Sequence, residues 1–256
     1  MHVLMVLYNP PRKGTYWRAL YLARFLAERG HRISFLSASK GSSLRFRTYA
    51  DSHAGVTLVE SPSLLGGPFR SGWDPCTVLA RVLWSVGTRV DIIHGFESRP
   101  TVSLPILRWR RRLRVPVVLD WCDWFGSGGA VEERTNPFLR MVLRPVETFF
   151  EESFRSKADG ATVINEFLEQ RVLDLGVPPE RVLRITNGCN VAQIRPPDLK
   201  SARELLGLPS SIPLIGYLGA AFASDARLMV EAFHELRKTV PEARLLVIGN
   251  SNYSYK

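Results

Sequence analysis

The stretch VPVVLDWCDWFG, residues 115–126, gathers the side chains best suited to chemistry. Asp120 and Asp123 follow the apolar, strand-like run Val115–Leu119, so both carboxylates are expected where a buried strand ends. There they can orient the hydroxyls of a ligand through charge-assisted hydrogen bonds. Trp121 and Trp124 offer flat faces for the apolar side of such a ligand. The competing reading makes the aspartates structural, capping the glycine-rich loop Gly126–Gly129. Upstream, Val90–His94 reads as another strand with Gly95, Phe96 and Glu97 at its C-terminal end. In open parallel sheets that end faces the ligand crevice, which makes His94 and Glu97 further candidates. A hydrogen-bonded core histidine explains His94 equally simply. Gly14 stands between the first strand and the first helix, where a ligand can approach the backbone and free N–H groups favour anions. A turn glycine is the plainer alternative.

The elements that must hold these residues alternate strand and helix. Val3–Tyr8 is the first strand. A helix from about Thr15 to Arg29 carries Ala19, Leu22, Ala23 and Leu26 on one face, and Gly30 ends it before the strand His31–Leu36. The linking loop is not GxGxxG, so a dinucleotide fingerprint is absent. Residues 40–73 read as irregular apart from a strand at Gly55–Glu60. Asp74-Pro75 starts a helix with a cap and a proline at its first position, with Val78, Leu79, Val82, Leu83 and Val86 as its apolar stripe. Pro100–Leu113 is the next helix. Asn136-Pro137 opens a long one through about Ser156, with Phe138, Val142, Val146, Phe149 and Phe150 expected inward, Glu147, Glu151 and Glu152 outward, and a kink or break at Pro145.

The composition is that of an ordinary folded chain: 256 residues, 45% hydrophobic and 23% charged. Three scattered cysteines argue for reduced thiols and against a disulfide framework or zinc site. The opening MHVLMVLYN reads as a buried strand, not a signal peptide. No apolar run is long enough to span a bilayer. These features point to a cytoplasmic location. Residues 201–256 carry six Lys/Arg against five Asp/Glu, so nearly all of the net charge of +10 lies in residues 1–200. Such a surface suits an acidic partner. Five arginines lie between Arg108 and Arg114, around Trp109. They lack the repeated stacking aromatics of a nucleic-acid reader. A solvated helix end and peripheral attachment to the inner, anionic face of a membrane remain as their two readings.

The longest patterned segment is KADGATVINEFLEQRVLDLGVPPERVLRITNG, residues 157–188. It reads as a strand at Gly160–Ile164, a helix capped by Asn165 and stopped at Gly176, a strand at Val182–Thr186, and the turn Asn187-Gly188. Together with VPVVLDWCDWFG, and with GYLG followed by PEARLLVIGN further on, it resembles the GT-B glycosyltransferases, most closely the large retaining group called family 4. The resemblance implies an α/β fold: a Rossmann-like doubly wound parallel sheet over residues 1–190, then a hinge and the first βαβ of a second Rossmann-like domain over 191–256. It places Asp123 at the catalytic position, Gly14, His94, Glu97 and Asp120 on the acceptor side, and Asn187, Gly188, Gly219 and Asp225 on the donor side. There Gly219 offers backbone N–H groups to a diphosphate, and Asp225 is expected to cap the following helix.

The chain departs from that family in several places. Cys122 holds a position usually occupied by histidine. The usual Arg and Lys of the donor turn are missing, and no Glu-x7-Glu pair follows, so the sequence reads as a truncated portion of a longer enzyme, inactive alone. The resemblance implies sugar transfer from a nucleotide-sugar cosubstrate to the hydroxyl of a glycan, lipid or other acceptor. It also implies retention at the anomeric carbon and no metal or other cofactor. The rivals are an inactive module that binds sugar phosphates or a membrane surface and, more weakly, a GT-B epimerase or phosphorylase.

Overall fold

The computed structural model describes residues 1–66, 69, 71–86, 89–134, 136–192, 194–219 and 223–249. The expected donor-turn residues 220–222 and the tail 250–256 lie outside them. The chain divides into two compact units, Met1–Gly188 and Cys189–Lys256.

Unit 1 is built on an eight-stranded sheet. Its strands are β1 (His2–Leu7), β2 (Arg32–Ala38), β3 (Arg47–Ala50), β4 (Val56–Ser61), β5 (Ile92–Phe96), β6 (Val117–Trp121), β7 (Gly160–Val163) and β8 (Val182–Arg184). They lie in the order β3-β4-β2-β1-β5-β6-β7-β8, and every pairing is parallel except β3 with β4. The exposed, polar β3 falls in the segment read as irregular. It closes the sheet edge as a short antiparallel strand, a common way of covering an open edge. The helices are α1 (Tyr16–Glu28), α2 (Pro75–Leu83), α3 (Pro100–Leu113), α4 (Pro137–Arg155) and α5 (Glu166–Asp174).

Crossover handedness decides which face each helix covers. The step from β1 to β2 runs one way along the sheet, and the steps β4 to β5, β5 to β6 and β6 to β7 run the other. Right-handed connections therefore put α1 on one face and α2, α3 and α4 together on the opposite face. The core agrees. Val3, Met5 and Leu7 pack on Ala19, Leu20 and Ala23 of α1, whereas Leu4 and Val6 meet Val102, Ile106 and Trp109 of α3. Gly95 is required at that second contact, since an added Cβ would lie 2.6 Å from Ile106 and 2.7 Å from Leu119. Trp121, Ala161 and Val163 form a third cluster with Leu168 and Val172 of α5.

The cap residues of unit 1 act as expected. Asp74 accepts hydrogen bonds from the N–H of Cys76 and Leu64 and from the Thr77 hydroxyl. Asn136 and Asn165 accept from Leu139 and Leu168. Burial alone would raise the Asp74 carboxyl, but the bond from Thr77 and the backbone N–H groups outweigh it and hold the group below its usual range. Its stabilising contribution is therefore complete above the unfolded carboxyl value, and is lost as pH falls through the lower folded one. Asp74→Ala should cost about 1–2 kcal/mol near neutral pH, with the difference from wild type shrinking below about pH 4. Urea titrations at several pH values check both.

The faces of α2 and α4 run against expectation. Phe138, Met141, Val142, Val146 and Phe149 are exposed, and the buried row of α4 is Glu147, Glu151 and Arg155, spaced four apart. In α2 the buried residues are Thr77 and Arg81, while Leu79 and Leu83 face outward. The reason lies beneath these helices. They cover strand ends and loops rich in free backbone groups, which charged side chains satisfy and apolar ones cannot. Pro145 does not break α4. It sits on the outer side, where the carbonyl it frees meets solvent.

Unit 2 holds α6 (Leu199–Leu205), β9 (Leu214–Leu218), α7 (Ala223–Thr239) and β10 (Arg244–Ile248), with β9 and β10 paired in parallel. The Asp198 carboxylate caps α6 by accepting from Lys200 and Ser201 N–H.

Candidate active site

The C-terminal ends of β1, β5 and β6 come together in unit 1, and the loops leaving them carry Asn9 to Gly14, Glu97, and Cys122 to Gly129. Glu97 sits just past β5 with φ of +64°, a left-handed conformation that a non-glycine residue adopts only when its surroundings demand it. They do. Its carboxylate accepts from Cys122 N–H at 3.2 Å and Asp123 N–H at 3.3 Å, and from Arg155 Nη2 at 3.3 Å. Arg155, fully buried, also donates to the Asp120 carbonyl at 2.8 Å, with its guanidinium over the Trp121 ring. Glu151, from the same row of α4, accepts from Trp121 Nε1, Phe125 N–H and Gly126 N–H. Two buried glutamates and an arginine thus shape the backbone that carries Asp123.

Burial pushes Glu97 up to about 8, only partly offset by Arg155, with Asp123 and Asp120 adding to the rise. Its three partners are all donors, which favours the ionised form; the missing water favours the neutral one. Asp123 itself is exposed at the rim. The protein packed around its carboxyl raises it from its ordinary value against the pull of Arg99, and Asp120 adds to the rise.

Asp120 is fully buried. It accepts from Arg18 Nε at 3.0 Å and Nη2 at 2.9 Å, from the Cys122 thiol at 2.8 Å, and from the Thr162 hydroxyl. Burial would raise its carboxyl, but Arg18, His94 and Cys122 together hold it below its usual value. Both oxygens are engaged inside the protein. Arg18 Nη1 continues to the Thr186 carbonyl and to Asn187 Oδ1, so one guanidinium joins α1, the end of β6 and the segment after β8. His94 lies beside this network, its ring 4.4 Å from Phe96 and its Nε2 3.3 Å from Thr162 Oγ1, and burial lowers its pKa. Cys122 is a buried thiol that burial first, and then Asp120, drives far above the ordinary range; it acts as a donor and not as a nucleophile.

Gly14, at φ +52°, packs against Asn9, whose side-chain nitrogen lies 2.7 Å from where a Cβ would stand. Asn9 is buried and its Oδ1 lacks a partner among the described residues. The two indoles differ from expectation. Trp121 is fully buried and hydrogen-bonded, so it offers no stacking face, while Trp124 is half-buried between Phe167 and the Arg171 guanidinium.

The structure therefore gathers Gly14, Glu97, Asp120 and Asp123 at one edge of unit 1, with His94 just behind and Asn187 tied in through Arg18. Gly188 ends the unit. Gly219 and Asp225 belong to unit 2. Gly219 has φ of +144° and its N–H is committed to the Ile248 carbonyl at 2.9 Å. Asp225 is not the cap of α7 but lies within its first turn, because the helix begins at Ala223.

Sequence reasoning missed Arg18, Arg99 and Arg155. Arg99 is caged by Tyr8, Trp73 and Phe125, donates to the Ser71 carbonyl at 2.6 Å, and pairs with Glu147. Only the Glu147–Glu151–Arg155 row left a trace, as a polar stripe opposite an apolar one. Among the described residues no group of three or more His, Cys, Asp or Glu is placed to hold a metal ion.

An open, doubly wound sheet with carboxylates at its C-terminal edge, followed along the chain by a second parallel unit, defines a GT-B-type α/β protein. Residues 13–188 match the glycosyl transferase 4-like domain, and the chain belongs to that family. It is 21% identical over 98% of its length to a phosphatidylinositol N-acetylglucosaminyltransferase subunit of Arabidopsis thaliana, and spans 52% of that relative. Among solved structures, sucrose-phosphate synthase from Thermosynechococcus elongatus superposes with a TM-score of 0.69 at 17% identity, over 100% of this chain and 64% of that one. UDP-GlcNAc 2-epimerase from Neisseria meningitidis, bound to UDP-GlcNAc, gives 0.57 at 12% identity, over 98% and 67%. At such identities these likenesses show the fold alone.

Proposed function

We propose that unit 1 is the acceptor half of a glycosyltransferase that moves a sugar from a nucleotide-sugar to an acceptor hydroxyl, with retention and without a metal. The observation that carries this is Asp123: an exposed carboxylate with a raised pKa, held at the sheet's C-terminal edge by Glu97 and Arg155. Family membership supports sugar transfer, and the name of the plant relative supports a lipid-borne acceptor. The UDP-GlcNAc held by the superposing epimerase supports a UDP-sugar as donor.

In this reading Asp123 accepts a hydrogen bond from the attacking hydroxyl, and its raised pKa suits it to take up the proton. Asp120 does not meet the sugar. It holds Arg18, and through Arg18 the Asn187 segment. Gly14 gives the acceptor a close approach to the backbone. The donor phosphates fall to the start of α7, where helix N–H groups replace a metal, since the Gly219 N–H is taken by the Ile248 carbonyl.

The test is UDP release from a panel of UDP-hexoses by the protein, with and without EDTA. Acceptor-dependent release that EDTA leaves unchanged is expected, and Asp123→Asn should lower it by about 10²–10⁴-fold. Release independent of acceptor, or insensitive to that substitution, would sink the reading.

A further inference from the structure

The outward apolar face of α4 has no role in the site above. Phe138 is 70% exposed, Met141 64% and Phe149 59%. Three such side chains on one short stretch make a patch, not the scattered exposure of an ordinary surface. Their helix shares its sheet face with α2, which turns Leu79 and Leu83 outward, and with α3, which exposes Arg108, Arg111 and Arg112. Neither α2 nor α3, nor the first ten residues of α4, contains an aspartate or glutamate. The acidic residues that follow in α4 turn inward, as Glu147 and Glu151, or pair with Arg171, as Glu152 does. One face of the unit therefore carries an apolar row toward the sheet's C-terminal edge, where Arg144 pairs with Glu132, and the cationic end of α3 toward the opposite edge, where Arg110 reaches Lys157 and Asp159.

The row on α1 is different. Trp17, Tyr21 and Phe25 are exposed on the other sheet face, but Arg24 and Arg29 lie over two of those rings.

We propose that the face formed by α2, α3 and α4 docks on an anionic lipid bilayer. The apolar row of α4 seats at the headgroup boundary and the arginines of α3 meet lipid phosphates. A helix with one strongly apolar face and cationic neighbours lies in the interface plane. Among the described residues no helix is long and apolar enough to cross a membrane. The apolar half of α4 is its N-terminal half, on the same side as the sheet's C-terminal edge. Arg144 there donates to Ser127 Oγ at 3.2 Å in the loop that follows Asp123. Docking thus brings the candidate site to the lipid surface. The inference does not depend on sugar transfer.

The experiment is co-sedimentation of the full chain with vesicles of phosphatidylcholine alone and of phosphatidylcholine with about one-third phosphatidylglycerol. Sedimentation is expected with the anionic vesicles and not with the neutral ones. Arg108→Ser/Arg111→Ser/Arg112→Ser should weaken it at least about tenfold, since each basic residue near an anionic surface contributes about fivefold. Phe138→Ser/Met141→Ser/Phe149→Ser should weaken it by a similar factor while circular dichroism stays unchanged, these side chains being exposed. Equal binding to both vesicle types, or retention by both triple variants, overturns the proposal. So does finding that the α4 variant turns a dimer into a monomer in light scattering but leaves vesicle binding intact; the face would then join two copies of the chain.

Discussion

Above about pH 8, where Glu97 is ionised, Arg155→Met should destabilise unit 1 by about 3–5 kcal/mol, the loss seen when one partner of a buried ion pair is removed. In a domain of this size that lowers Tm by roughly 6–20 °C. Methionine keeps the volume beneath α4 but leaves Glu97 without its cation and the Asp120 carbonyl without its donor. The penalty should also depend on pH, in a direction that can be worked out. Folded Glu97 holds its proton up to about 8, against about 4.3 in the unfolded chain. Stability is therefore lost between those values, as the unfolded chain releases a proton that folded Glu97 keeps, and Arg155 ends the loss by letting the folded carboxyl ionise near 8. Without Arg155 the folded carboxyl stays neutral to still higher pH, so the deficit relative to wild type should be flat below about pH 7 and grow as pH rises through about 8. Repeating the substitution in a Glu97→Gln background, which keeps an oxygen for Cys122 and Asp123 N–H, should recover a large part of it. Equal losses in both backgrounds, by urea denaturation, would show that the pair does not couple.

Asp120→Asn is expected to be nearly as costly, about 3–5 kcal/mol, for a different reason. The amide cannot accept from Arg18 twice, from Cys122 and from Thr162 at once, and it leaves a buried guanidinium without a counter-charge. Here the carboxyl is depressed in the folded state. Its contribution is complete above the unfolded value of about 3.9 and disappears as pH falls through the folded one. The stability curves of wild type and variant should therefore stand apart at neutral pH and converge in acid. The variant should also loosen Asn187, since Arg18 is its tie to the sheet. Hydrogen exchange at residues 186–188 should rise more than in the α1 core. Unchanged exchange there would mean that Arg18 does not hold the segment.

Much of the frame was legible from local rules. Pro100–Leu113 is a helix with the bounds its sequence suggests, Asp74 and Asn165 cap as their types require, and Gly176 takes the left-handed turn that ends α5. Such features depend on a few neighbouring residues, whose dihedral preferences and spare donors act wherever the segment lies. Asp123 at a strand end was legible for the same reason.

What the tertiary structure alone decided is which side of a helix is inside, and which charges pair across the chain. Periodicity records that two faces of α4 differ, and assigning the apolar one inward assumes an apolar partner surface. The surface under α4 is the end of β6 and its loop, whose backbone N–H groups and carbonyl call for Glu151 and Arg155, so the helix is turned over. Arg18 and Asp120 are separated by 102 positions, and nothing in either neighbourhood names the other. Their meeting, and with it the burial of Asp120 and the exposure of Asp123, follows from strand order, which brings α1 across β1 and β5 to the end of β6.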